Sequence, residues 1–215
     1  MQFPVTLGKK VRVVEARLAS EADVEAIEAW GKLPQPGDVM EVWDAAEYAG
    51  LGCEKWRTAR QRGRLVSRFG DIRTALEAQP KAELIFLLVA RADWHEPSEQ
   101  VGFCQFRRTW AHNVFVDYLG TDPRLGRPDF PQIGGIGTGL LFAVMALGQQ
   151  ISAGKCLLEA TDESFGFYRK KFRQMEINDL CALSPAEQWH YMEKTREAWS
   201  RLGLTLQLNL DPKSL

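Results

Sequence analysis

Residues Gln132-Ile-Gly-Gly-Ile-Gly-Thr-Gly139 run straight into the apolar stretch 140–147, and this junction decides how the chain is read. Gly134, Gly135 and Gly137 remove the Cβ atoms that would otherwise hold a ligand away from the backbone. A helix starting here leaves its first amides unpaired and presents the positive end of its dipole, so the expected guest is a phosphate or pyrophosphate.

The elements around the loop follow from periodicity. Downstream, 137–151 is apolar nearly all round and is expected as a buried helix, followed by a strand over 155–160 and a short helix over 163–172. Upstream, 114–121 reads as a strand, joined hairpin-fashion through His112 and Asn113 to another over 99–110. The continuous apolar run 83–90 has the character of a strand buried on both faces. Nearer the N-terminus, 11–18 is a strand, and Ser20, with Asp23 in the first turn, caps a helix over 21–31. Asp38 and Glu41 form a capping-box pattern before a helix with Val39, Val42, Trp43 and Ala46 on one face. A basic stretch carrying Lys55, Arg57, Arg60, Arg62, Arg64 and Arg68 follows, then a short helix over 71–78.

The tail starts a helix with Ser184, Pro185 and Glu187, gives it an apolar stripe of Trp189, Met192, Trp199 and Leu202, and closes it at Gly203. Residues 204–210 then alternate strictly, as a strand with one wet face does. The expected architecture is a single mixed α/β domain over 1–215, with a helical insertion at about 38–80 and a helix–strand extension at about 184–210. Its central strands are joined by hairpins before one helical crossover.

Composition narrows the function classes. A net charge of −1 gives no overall attraction to nucleic acid or an anionic membrane, so neither is expected as a partner. The longest apolar stretch is too short to span a bilayer, and the first residues lack the pattern of a signal peptide. Cys53, Cys104, Cys156 and Cys181 lie far apart, as do His95, His112 and His190, so no metal site is expected. The cysteines read as small buried hydrophobes in a reducing cytoplasm.

Three phosphate loops can be tested against the glycines. A P-loop requires a lysine that is missing here. A dinucleotide fingerprint finds its first half in Gly135-Ile-Gly137, and Glu159 ends the next strand where a ribose-binding acid would sit. Leu140, however, occupies the third glycine position, and a proline-containing loop separates strand from motif. That reading, a dinucleotide-dependent oxidoreductase, ranks behind a third. Gln132-Ile-Gly-Gly135-Ile-Gly137 satisfies Gln/Arg-x-x-Gly-x-Gly, and the chain resembles the GNAT superfamily of N-acetyltransferases on that motif. The strand ending Asp117-Tyr-Leu119-Gly-Thr121-Asp122-Pro123 is similar to the one that precedes the family's loop. The segment Leu157-Leu-Glu-Ala-Thr161-Asp-Glu-Ser164-Phe-Gly-Phe167-Tyr168 is similar to the family's closing motif. Thr161 stands where the family usually has asparagine, Phe172-Arg173 replaces its Gly-Phe, and the loop over 122–132 is longer than usual. The resemblance covers about 82–172, is vague before it and absent after it.

The resemblance implies a mostly antiparallel sheet flanked by helices, and a cytoplasmic enzyme moving an acetyl or short acyl group from acetyl-coenzyme A to a small-molecule or peptide amine. It places the coenzyme's pyrophosphate on Gln132, Ile133, Gly134, Gly135, Ile136, Gly137 and Thr138, and the pantetheine arm against Leu119 and Thr121. It makes Tyr168 the general acid for the departing thiolate. For the base, Asp117 is the carboxylate on the strand leading to the loop, and period-two alternation sets it on the face of Leu119 and Thr121. Glu159 and His112 are the alternatives. Arg124 and Arg127 are either phosphate donors or solvated loop residues, and the basic stretch reads as a solvated helix face. A catalytically silent acyl-coenzyme A sensor fits the same residues. The acceptor is expected to be shaped by the region before Ala82 and by the long loop. The 184–210 extension either packs on the sheet or pairs with another subunit, a homodimer through the edge of the 204–210 strand being the second case.

Overall fold

The computed structural model describes residues 1–32, 40–96, 98–126, 130–172 and 180–203. Eight strands among these residues form one sheet: β1 (Gln2–Leu7), β2 (Lys10–Leu18), β3 (Leu84–Arg91), β4 (Gln100–Arg108), β5 (Val114–Thr121), β6 (Ile133–Gly134), β7 (Cys156–Glu159) and β8 (Leu180–Leu183). They lie in the order β6-β1-β2-β3-β4-β5-β7-β8. Every neighbouring pair is antiparallel except β5 and β7, which are parallel because a helix joins them across the sheet. Hairpins therefore build the centre and one crossover extends it, as the sequence implies.

Among the described residues six α-helices cover the faces: α1 (Glu21–Glu28), α2 (Met40–Gln61), α3 (Ile72–Ala78), α4 (Ile136–Gln150), α5 (Asp162–Phe172) and α6 (Pro185–Ser200). Helix α4 is the crossover, and its residues from Leu140 to Leu147 are buried in the larger core with Phe86, Phe106 and Val116. The opposite face of the sheet packs on α1 and α2 through Val24, Ile27, Trp30, Trp56, Leu87, Val89 and Phe103. Burial on both faces explains why β3 reads as an uninterrupted apolar run.

The expected cap at Ser20 and capping box at Ser184 are formed; Ser20 goes further and closes a full capping box with Asp23 on α1, as Ser184 does with Glu187 on α6. Asp23 also takes hydrogen bonds from Arg17 and Gln100. Burial alone would raise its carboxyl, but the hydrogen bonds of Ser20, Arg17 and Gln100 outweigh burial and hold it at about 2. One carboxylate thus ties the start of α1 to β2 and to the strand region of Gln100.

Several expectations need correction. Strands β1 and β8 were not expected. The helix near Ala46 runs on through the first half of the basic stretch to Gln61. The apolar stripe of α6 is displaced: Met192 and Trp199 are buried, but Trp189 is 57% and Leu202 42% exposed, while Gln188, Tyr191 and Thr195 turn inward. The Asp38–Glu41 capping pattern, the side chains of Val39, Val42 and Trp43, Arg127, Arg173 and the 204–210 strand with the dimer contact inferred from it lie outside the described residues.

The phosphate-loop cleft

The glycine loop has the geometry its composition allows. Gly135 is the N-cap of α4 at φ 102°, a backbone state that L side chains resist. No side chain caps the helix there, and the first intrahelical bond is from Gly139 N–H to the Gly135 carbonyl. The amides of Ile136, Gly137 and Thr138 precede that bond and face outward from the helix end. Gly134 is pinned from the other side, where β6 pairs Thr6↔Gly134 and Leu7↔Ile133 on β1. A Cβ on Gly134 would stand 2.7 Å from Thr6 Oγ1. Gln132, Gly134 and Gly135 are exposed, Ile133, Gly137 and Thr138 half-buried, and Ile136 anchors the turn in the core.

Beside this helix end the sheet opens. Strands β5 and β7 pair from Val114↔Cys156 to Val116↔Leu158, and among the described residues the pairing stops there. Residues of β5 beyond Val116, including Leu119 and Thr121, leave the partner strand behind. Leu119, Gly137 and Phe167 meet at the opening: a Cβ on Gly137 would lie 3.4 Å from Phe167 Cζ and 4.0 Å from Leu119 Cδ2. Those are ordinary contact distances, and they bring helix end, strand and α5 together at one cleft.

Tyr168 sits in the core behind it, 4% exposed, its ring stacked on Phe172 at 6.0 Å and edge-on to Phe167. Burial, then the neighbouring thiols of Cys104, Cys156 and Cys181, push its phenol well above the ordinary value. It remains a protonated donor throughout the physiological range. Thr161 is engaged locally, its hydroxyl and amide meeting the Ser164 hydroxyl at the start of α5.

Asp117 is not where alternation placed it. Gln105 on β4 pairs with Tyr118 and Phe106 with Val116, so Asp117 is the extra residue of a β-bulge. The bulge resets the alternation. Val116 and Leu119 belong to the α4 side, whereas Tyr118 belongs to the α2 side and stacks on Tyr48. The Asp117 carboxylate is ion-paired with Lys55 of α2 at 2.8 Å and faces Arg107 Nε at 3.3 Å. The shared face with Leu119, on which its role as base was argued, does not exist.

The cations also sort differently from expectation. Arg124 is neither a solvated residue nor a free phosphate donor, because it grips the fully buried Asp122 just after β5. In the basic stretch Lys55 pairs with Asp117, Arg57 with Glu28 and Arg60 with Glu21, so half of it is committed to acids on other elements. The four cysteines are buried thiols that form no disulfide. No His, Cys, Asp or Glu cluster among the described residues could hold a metal ion, and none of their helices is long and apolar enough to cross a membrane.

No protein-family model matches the sequence, and no curated protein matches it. Solved structures do resemble it. An acetyltransferase of the GNAT family from Brucella melitensis, in complex with acetyl-CoA, is 16% identical, with a TM-score of 0.46 over 80% of this chain and 87% of that one. The PaiA N-acetyltransferase of Thermoplasma acidophilum, in complex with coenzyme A, is 20% identical, with a TM-score of 0.45 over 80% and 98%. An acetyltransferase of Trypanosoma brucei is 17% identical, with a TM-score of 0.42 over 77% and 96%. At these values the likeness carries no weight for function, which has to come from the chain's own residues.

Proposed function

We propose that this chain is a cytoplasmic N-acetyltransferase that uses acetyl-coenzyme A and transfers its acetyl group directly to an amine. The observation behind it is the junction of two features in one cleft: an N-terminal helix end opened by Gly135 at φ 102°, and a strand that parts from its neighbour at Val116. The first suits a diphosphate and the second an extended amide-bearing arm, and coenzyme A joins those two in one molecule.

The residues fit such a ligand. The amides from Ile133 to Thr138, with Gln132 at the rim, hold the diphosphate, and the close packing of Gly134 on Thr6 fixes the loop against β1. Leu119 and Thr121, freed from β7, offer backbone groups to the arm and an amide to the thioester carbonyl as negative charge gathers on its oxygen. The bound coenzyme supplies the acyl group as a thioester, activated toward nitrogen. The amine forms the C–N bond as the C–S bond breaks, and Tyr168 gives its phenolic proton to the departing sulfur. Burial keeps Tyr168 protonated, so its hydroxyl is always present as a donor toward the sulfur, while the same burial makes the phenol a weaker acid than a free one. The proton lost by the incoming ammonium passes to water.

The test is release of free thiol when acetyl-coenzyme A is mixed with a panel of amines. An enzyme releases thiol only with an acceptor present and loses that activity in Tyr168→Phe. A sensor binds acetyl-coenzyme A and releases nothing. Calorimetry showing no binding of acetyl-coenzyme A, with heat from NAD instead, would replace the proposal by the dinucleotide reading.

A further inference from the structure

Three lysines that carry no motif gather at one cavity. It holds about 460 Å³ beside the first turn of α4 and is lined by Gly135 and Thr138, by Lys170 and Lys171 from the end of α5, and by Lys194 and Trp199 from α6. That volume lies in the range of small-ligand sites. No carboxylate is among the described residues lining it. Helix α6 belongs to the C-terminal extension, yet it is fixed to the phosphate-loop helix: the Tyr191 hydroxyl donates to the Thr138 carbonyl at 3.0 Å, and Trp199 packs on Phe142 and Phe3. Lys194 lies one turn from Tyr191 on that anchored face, so its stem is held at the rim. Lys171 is half-buried over the Phe167 ring at 5.7 Å. Burial first, and then the charge of Lys170, push its ammonium below the ordinary value, so these cations gain from admitting an anion.

Coenzyme A is anionic at two places, the diphosphate and the 3′-phosphate of its ribose. If the α4 amides take the first, the lysines across the same cavity are left for the second. We propose that the cavity seats the 3′-phosphorylated ribose, and that Lys194, with Lys170 and Lys171, makes the chain select coenzyme A over its 3′-dephospho form. A phosphate monoester carries close to two charges at neutral pH, and each lysine can give it a charge-assisted hydrogen bond. The inference rests on the acyl-coenzyme A reading and gives the extension a function: α6 closes the nucleotide end of the site.

The test is calorimetry of the full chain with acetyl-coenzyme A and with acetyl-3′-dephospho-coenzyme A. Wild type is expected to bind the former about tenfold more tightly or better. Lys194→Ala narrows the ratio while leaving affinity for the dephospho form unchanged, Lys194→Arg retains most of it, and Lys170→Ala with Lys171→Ala removes the remainder. Equal binding of the two forms by wild type, or a Lys194→Ala variant that weakens both alike, overturns the inference and leaves the acetyltransferase reading standing. Failure of both forms to bind overturns the two together. Thermal melting of each variant separates lost contacts from lost fold.

Discussion

The Phe3 ring lies so close over Gly139 that a Cβ on that glycine would stand 2.2 Å from two ring carbons and 2.5 Å from a third. The strand that carries Phe3 and the helix end that carries the phosphate loop are thereby locked together. Phe3 has little freedom to yield, being 1% exposed and stacked on Trp199. Replacing a helical glycine by alanine ordinarily gains about 1 kcal/mol. Overpacking of a filled core costs about 1–3 kcal/mol, and so tight a clash belongs at the upper end. Gly139→Ala is therefore expected to be net destabilising, with a lower urea midpoint; an unchanged or higher midpoint would show that β1 slides freely past α4.

Gly135 separates conformation from space. A Cβ there would meet nothing nearer than the Pro4 carbonyl at 3.6 Å, so Gly135→Ala has room and suffers only the cost of φ 102°. That cost is about 1–2 kcal/mol. Gly8, at φ +58° in the β1–β2 turn with nothing within 4 Å, carries the same kind of penalty away from the loop. Both alanine variants should lose similar stability, but only Gly135→Ala should also lose affinity for acetyl-coenzyme A, by about tenfold or more. Equal binding by the two variants in calorimetry would remove Gly135 from the site.

Tyr168→Phe keeps the ring stacked on Phe172 and removes only the hydroxyl. Under the proposed chemistry kcat falls by about 10²–10⁴-fold, the range for one positioned proton donor, while acetyl-coenzyme A still binds. Single-turnover rates measured with saturating acceptor decide it. A kcat within threefold or so of wild type would make Tyr168 a packing residue.

Alkaline stability follows from buried acids. Burial raises the thiols of Cys53 and Cys181 to about 11 and that of Cys156 to about 12, and lifts Cys104 well above its ordinary value. It also raises the phenols of Tyr168 and Tyr191 above their ordinary value of 10. Between the unfolded and folded values the unfolded chain has lost a proton that the folded chain retains, so unfolding becomes easier as pH rises. Each such group contributes about 1.4 kcal/mol per pH unit in that window. Urea midpoints should stay level up to pH near 9, where thiols of the unfolded chain start to ionise, and fall more steeply past 10 as its phenols follow. Cys104→Ala should flatten the first part of the decline. A midpoint independent of pH up to 11 would mean that these groups reach solvent.

What sequence could and could not show divides along local and non-local physics. Strands β3 to β5, α4, the N-cap at Ser20 and the capping box at Ser184 were readable because periodicity and cap chemistry act within a few residues. Strand β1 was missed, with Pro4 inside it; its other evidence is its register with Val13 and Val14. Strand β8 is Leu-Cys-Ala-Leu, too short for periodicity to classify. The basic stretch read as solvated because the acids that pair with it, Glu21, Glu28 and Asp117, are remote in sequence. Lys170, Lys171 and Lys194 carry no sequence signal for the same reason: only the packing of α6 on α4 brings them together.

Asp117 gives the sharpest contrast between an inferred face and an observed one. As a general base it would control the rate: Asp117→Asn would lower kcat/KM strongly and abolish the acidic limb of the pH profile, with stability nearly unchanged. As the hub of a bulge it is held by Lys55 and Arg107, and removing its charge leaves half-buried Lys55 without this carboxylate and Arg107 with Glu83 alone. The second outcome is expected. Asp117→Asn should cost about 1–3 kcal/mol, the range for a hydrogen bond to a charged group, while kcat/KM stays within a few-fold. Lys55→Ala should cost less, since Lys55 is 28% exposed and solvent takes up its loss. The double variant should fall short of additivity by about 0.5 kcal/mol or more, because the two residues share one interaction. A rate loss without a stability loss would restore Asp117 to the chemistry and require the bulge to open when an acceptor binds.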